Sequence, residues 1–387
     1  MMKDAAQKEM IFKHFTAQGW YALVEIPVFP AGGLDEENKV ITDIDVLGLR
    51  PGSDLRWELV LGDCKTLKGQ SPANRAVWLR GLMDRISASS GIILLQRKKG
   101  NKIEPDHKLF AGSLGINLLD EVEFNRYDRA LVYPSGSAQC IYTAKELIDI
   151  RDLIKRFPPL GTFVYYIYAK AWNEPSHWEI LRKILGQAKA IRREIDPERS
   201  DHLAIILEGV SVFSIALATC VGLIFTQYLM PETKARLDEA LKVVIWGGRS
   251  QYQFISKLRS DLLIAKGQSK GEETPLALPQ WDSFLQLVRE SLEAPKISFQ
   301  VPQILRLAAL DLIHNRSFLQ LTGKSELLIL KRAELTVRYF CQAAELPPDT
   351  WKKLGDKFAQ RQSDILHEKT DPNYPQPALP YNDRLIF

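Results

Sequence analysis

The chain has 387 residues, 25% of them charged and 45% in the hydrophobic class, which is ordinary globular composition and room for two or three domains. Its net charge of +4 is a milder excess than nucleic-acid binders often carry, so charge alone neither establishes nor removes a phosphate-binding face. Cys64, Cys140, Cys220 and Cys341 are widely spaced, with no CxxC pair or Cys/His cluster, which excludes a zinc framework and points to a reduced, cytoplasmic compartment. The N-terminus, MMKDAAQKEM, is charged and lacks the apolar core of a secretory signal. HExxH and GxSxG do not occur, and Gly323-Lys324-Ser325 lacks the first glycine of a phosphate loop because Phe318 stands there.

Residues 4–18 place apolar side chains at Met10, Ile11, Phe12 and Phe15 with Gly19 just beyond, which predicts a helix and its stop. Tyr21–Val28 reads as a strand. Two apolar-rich runs follow, ITDIDVLG and WELVLGDCK, separated by Pro51-Gly52, which favours a reversal. Asp45 lies in the first run, and Asp63 and Lys65 lie in the second. Residues two apart on a strand share a face, so Asp63 and Lys65 project together and Cys64 points away. An antiparallel pair turning near Asp54 sets Asp45 opposite Asp63, with Cβ atoms about 5 Å apart. Two carboxylates that close need a cation between them, and hard oxygen ligands suit Mg²⁺. Asp43 shares the side of Asp45 and is expected in solvent or behind the acids. A helix near 72–87, a buried strand at Gly91–Gln96 and a closing helix and strand over His107–Leu119 complete this part.

An acidic residue on one strand, then an acid and a lysine two apart on the next, resembles the PD-(D/E)xK or restriction-endonuclease-like nucleases. The order of elements from residue 4 to residue 119 agrees. The resemblance covers the first third of the chain. It implies an α/β core of mixed sheet flanked by helices, with Asp45, Asp63, Lys65 and, from the first helix, Glu9 as catalytic residues. Asp45, Asp63, the Cys64 carbonyl and Glu9 would be ligands of Mg²⁺ or Mn²⁺, with Glu25 a weaker candidate than Glu9. Glu is commoner than Asp at position 63, and the helix after Lys65 lacks the glutamine-tyrosine motif of some branches. The implied activity is phosphodiester hydrolysis, in DNA ahead of RNA. Arg75, Arg97, Lys98, Lys99 and Lys102 are candidate phosphate contacts, and Arg80 and Arg85 lie on the same helix as Arg75.

Beyond Pro134-Ser135-Gly136-Ser137 the pattern is helical. Thr143 and Glu146 have capping-box spacing ahead of a helix to Phe157. Further helices are predicted near 162–172, 176–194, 202–229, 232–246, 249–267, 280–293, 301–322, 325–344 and 348–367. The expected domains are a nuclease-like unit at 1–133, an all-α sensor, oligomerisation or docking region at 143–367, in two lobes split near 266–280, and a Pro-rich extended tail at 368–387. Gly209–Met230 carries no charge and is long enough to span a membrane. Its Ser, Thr and Gln positions and amphipathic neighbours favour the centre of a bundle. The resulting expectation is a cytoplasmic endonuclease, by architecture akin to restriction or anti-phage effectors. Its expected partners are nucleic acid and a second copy or a partner protein bound through the helices, not a membrane. The alternatives are a non-catalytic nucleic-acid- or protein-binding subunit on a nuclease-like scaffold, and a nuclease anchored through 209–230.

Overall fold

The structure is a computed structural model that describes residues 4–30, 39–65, 71–96, 103–131, 142–174, 176–265, 276–320 and 326–368. Arg97, Lys98, Lys99, Lys102, the 368–387 tail beyond Glu368, the expected break at 134–137 and residues 266–275 of the expected 266–280 division lie outside the described residues. The first helix, α1 (Ala5–Ala17), is followed by the meander β1 (Tyr21–Val28), β2 (Thr42–Pro51) and β3 (Trp57–Lys65). Then come α2 (Pro72–Ile86), β4 (Ser90–Leu95), α3 (Pro105–Ser113), β5 (Ile116–Asp120) and α4 (Glu121–Leu131). The strands form one mixed sheet in the order β1-β2-β3-β4-β5, antiparallel from β1 to β3 and parallel from β3 to β5. The run GIILL of β4 is buried throughout, as a central parallel strand covered on both faces requires.

α1 approaches the sheet closely because two strand positions lack side chains. A Cβ at Gly48 would sit 2.6 Å from the Phe15 ring, and one at Gly62 would sit 2.9 Å from Ile11. The helix therefore beds its Lys8, Ile11, Phe12, Phe15 stripe onto β2 and β3, and all four side chains are buried. α4 was not among the predicted elements. Asp120 accepts from the backbone N–H groups of Val122 and Glu123, both at 2.9 Å, while Glu123 accepts from Asp120 N–H at 3.1 Å. The Asp-x-x-Glu spacing of that cap was visible at 120–123.

The rest of the described chain is helical: α5 (Ala144–Arg151), α6 (Gly161–Tyr168), α7 (His177–Ala190), α8 (Ser200–Tyr228), α9 (Lys234–Ile245), α10 (Arg249–Ala265), α11 (Trp281–Glu293), α12 (Pro295–Ser298), α13 (Val301–Ile313), α14 (Leu327–Ala343) and α15 (Pro348–Glu368). The capping box of Thr143 and Glu146 forms. The helix expected over 301–322 stops at Ile313, where Asn315 takes a left-handed φ of 49° and Arg316 N–H closes onto Asp311 O at 2.9 Å.

α8 is the axis of the bundle, and 94% of its most apolar window is buried inside the fold. Of its hydroxyls, Ser211 donates across to Pro302 O, and Ser214, Thr219 and Thr226 bond back to their own helix. One hydrophobic core runs from Ile11 under the sheet to Ile365 of α15, without a gap between sheet and helices. Trp57 of β3 donates its indole N–H to Ile215 O of α8 at 3.0 Å. At Gly222 an added Cβ would lie 2.2 Å from the backbone oxygen of Leu55, in the turn between β2 and β3. Gly222→Ala is therefore expected to push α8 off that turn and cost about 1–3 kcal/mol, read as a lowered Tm. An unchanged melt would mean that the turn yields freely.

A candidate active site at the β2–β3 edge

The register pairs Val46 with Gly62 and Leu47 with Leu61, so one step further along the strands Asp45 stands opposite Asp63. Both acids are buried, Asp45 at 8% and Asp63 at 3% exposure. Asp43 is exposed, two residues further out along β2 than Asp45.

Each acid is held by its own cation. Lys8 of α1 lies 2.9 Å from Asp45 Oδ1 and 3.1 Å from Glu25 Oε1. The other oxygen, Asp45 Oδ2, accepts from Cys64 N–H at 2.8 Å. Arg75 of α2 grips Asp63 with both arms of its fork, through Nε at 2.6 Å and through Nη2. Its guanidinium also lies over the Trp78 ring, 3.6 Å from the centroid. Glu25 sits in β1 at a left-handed φ of 53°, unusual for a strand residue, and meets Arg151 of α5 at 3.4 Å. Lys65 is half-buried and makes no side-chain hydrogen bond or ion pair among the described residues.

These contacts set the electrostatics. Burial pulls the Lys8 ammonium down, but hydrogen bonds and charge from Asp45 and Glu25 outweigh it and hold Lys8 above the usual lysine value. Burial pushes the Asp63 carboxyl up. Arg75 draws it back, Asp45 adds to the rise and Lys65 opposes it, and the net direction is upward. The Cys64 thiol is pushed well up, by burial first and then by the two acids, which removes it as a nucleophile.

Asp45, Asp63 and Lys65 thus come to one face of the sheet, near the C-terminal end of its central strand β3. Glu9 does not join them. It is one residue off the stripe of α1 that faces the sheet, so it turns toward α5, accepts from Ala144 N–H at 2.9 Å and lies 3.4 Å from Lys13 Nζ. Lys8 takes the place expected for it. Arg75 is committed to Asp63 rather than free for phosphate. Sequence reasoning missed Lys8, although its 8, 11, 12, 15 spacing put a lysine on the apolar face of the first helix. It also missed Trp78.

Among the described residues, no three or more His, Cys, Asp or Glu side chains cluster as a metal centre. The donor chemistry of the pair still fits a hard divalent cation, with two carboxylates and the Cys64 carbonyl nearby in sequence. The acids already draw two cationic groups, Lys8 and Arg75, into that role. All four carboxylate oxygens have a protein donor, so an ion reaching both acids must exchange with one of those groups. Comparison with protein-family models, with curated proteins and with solved structures gives no match.

Lys8→Met should leave Asp45 buried without its cation and cost about 3 kcal/mol. The folded chain holds the Lys8 proton more tightly than the unfolded chain. Its contribution is therefore complete below the ordinary lysine value of 10.5 and lost as pH rises through the higher folded value. The Tm gap between wild type and Lys8→Met should be constant near neutrality and close at strongly alkaline pH. A gap that persists there would make Lys8 a packing residue only.

Proposed function

We propose that this protein is a metal-dependent endonuclease whose N-terminal part is a PD-(D/E)xK-type core. The observation that carries the reading is the juxtaposition of Asp45, Asp63 and Lys65 on one face of the mixed sheet, near the C-terminal end of β3. The strand order, an antiparallel meander continued by parallel strands, agrees with it. Asp45, Asp63 and the Cys64 carbonyl are the groups that would hold Mg²⁺ or Mn²⁺. When bound, the ion supplies Lewis acidity at the phosphoryl group and a more acidic water. Lys65, half-buried and unpaired among the described residues, orients that water or stabilises the charge that develops on the phosphoryl oxygens. Lys8 and the Cys64 N–H hold Asp45 in one orientation. DNA is the proposed substrate ahead of RNA, in the cytoplasm, with the helices serving as a sensor or docking surface.

One observation favours a second reading, a nucleic-acid- or protein-binding subunit that keeps the scaffold without the chemistry: every oxygen of the acidic pair already has a protein partner. Purified protein with Mg²⁺ or Mn²⁺ on single-stranded, duplex and branched DNA and on RNA separates the two. Cleavage is expected. Asp45→Asn, Asp63→Asn and Lys65→Ala should each lower it roughly 100-fold or more while the thermal melt still shows a folded chain. Wild-type rates in folded Asp63→Asn would overturn the assignment, and no cleavage of any substrate would leave the binding subunit.

A further inference from the structure

The two cations at the acidic pair are held very differently. Lys8 belongs to the stripe by which α1 is bedded on Gly48 and Gly62, and its ammonium is shared between two carboxylates. To leave, it must break both contacts from a position 3% exposed beneath the helix. Arg75 sits in the first turn of α2, behind Pro72 and the Ser71 cap, and reaches Asp63 only with its side chain. That side chain is 12% exposed, against 3% for Lys8. Its second contact is the ring of the partly exposed Trp78, three residues on along the same helix.

We propose that Arg75 is an exchangeable latch: it covers Asp63 at rest and passes to the phosphodiester of the substrate when a divalent cation takes the carboxylate. This rests on the nuclease reading and adds a means of regulating the site. The guanidinium fork that chelates a carboxylate fits two phosphate oxygens equally well, so no new geometry is required of the side chain. The first turn of a helix also favours an anion. Charge explains the order of events. The resting pair is already neutralised by Lys8 and Arg75, so a divalent ion arriving alone leaves excess positive charge and must expel a cation. When a phosphodiester arrives with it, the displaced guanidinium has an anion to receive it. Metal and substrate therefore bind with positive coupling through Arg75.

The test is Mn²⁺ titration by calorimetry on the full chain, with and without a phosphorothioate DNA duplex that resists cleavage. Arg75→Ala should bind Mn²⁺ about tenfold or more tightly than wild type when no DNA is present. Arg75→Gln, which keeps an amide donor for Asp63 if the alanine variant folds poorly, should move in the same direction. In wild type the duplex should raise Mn²⁺ affinity, and in either variant this coupling should fall to the smaller part that the ion's own contact with the phosphate supplies. Adding Asp63→Asn to the variants should abolish the tight site. Equal Mn²⁺ affinity in wild type and both variants, still lost on Asp63→Asn, would overturn the latch and leave the nuclease reading standing. Mn²⁺ binding that Asp63→Asn does not touch, or none in any variant, would overturn both.

Discussion

The Arg306 guanidinium is fully buried where α13 meets the sheet, and the position of the helices over β1 depends on how that charge is satisfied. It bonds Glu208 of α8 through Nε at 3.0 Å and Nη2 at 2.8 Å, donates to Ala22 O of β1 at 2.5 Å and to the Tyr21 hydroxyl, and lies over the Tyr21 ring at 3.7 Å. Tyr168 adds its hydroxyl to Glu208 at 3.0 Å. Burial disfavours the charged guanidinium, but Glu208 and the surrounding tyrosines outweigh that and keep it protonated. Such a cluster contributes little net stability over apolar packing, yet it is costly to leave half-made. It therefore fixes one docking of the helices on the strand, because any slippage would strand a buried charge.

That docking reaches the acidic edge. β1 carries Tyr21 and Ala22 at the Arg306 cluster and Glu25 a few residues on, where Lys8 and Arg151 meet. Arg151 belongs to α5, whose first N–H groups are capped by Thr143 and by Glu9 of α1. The helical region thus touches the cation holding Asp45 through one shared carboxylate, and it touches α1 through Glu9. A sensor in the helices would have a physical route to the site through these two contacts. The continuous core beneath them makes sheet and helices one packed body.

Two carboxylates buried side by side on neighbouring strands are expensive unless compensated, and the fold compensates them twice. α1 supplies a fixed cation through helix packing, and α2 supplies one at the end of a long side chain. The two acids are held differently: Asp45 by Lys8 and the Cys64 N–H on separate oxygens, and Asp63 by the two arms of one guanidinium.

Strand alternation, the Pro51-Gly52 break and helical periodicity made the order of elements along the first part of the chain, the facing of Asp45 and Asp63, the Thr143 cap and the interior place of α8 legible in the sequence, because each depends on a short-range repeat. Which residue of α1 meets the acids was not legible in practice. Glu9 has the expected chemistry and Lys8 the expected geometry, and a rotation of 100° about the helix decides between them. Only the close approach of α1 over Gly48 and Gly62 settles it. The engagement of Arg75 with Asp63, the stacking on Trp78, and the pairing of Arg306 with Glu208 98 residues away are also tertiary facts. Sequence fixes the charge a residue carries. Whether that charge faces water, a substrate or another buried charge depends on which elements pack together, and no local period encodes that.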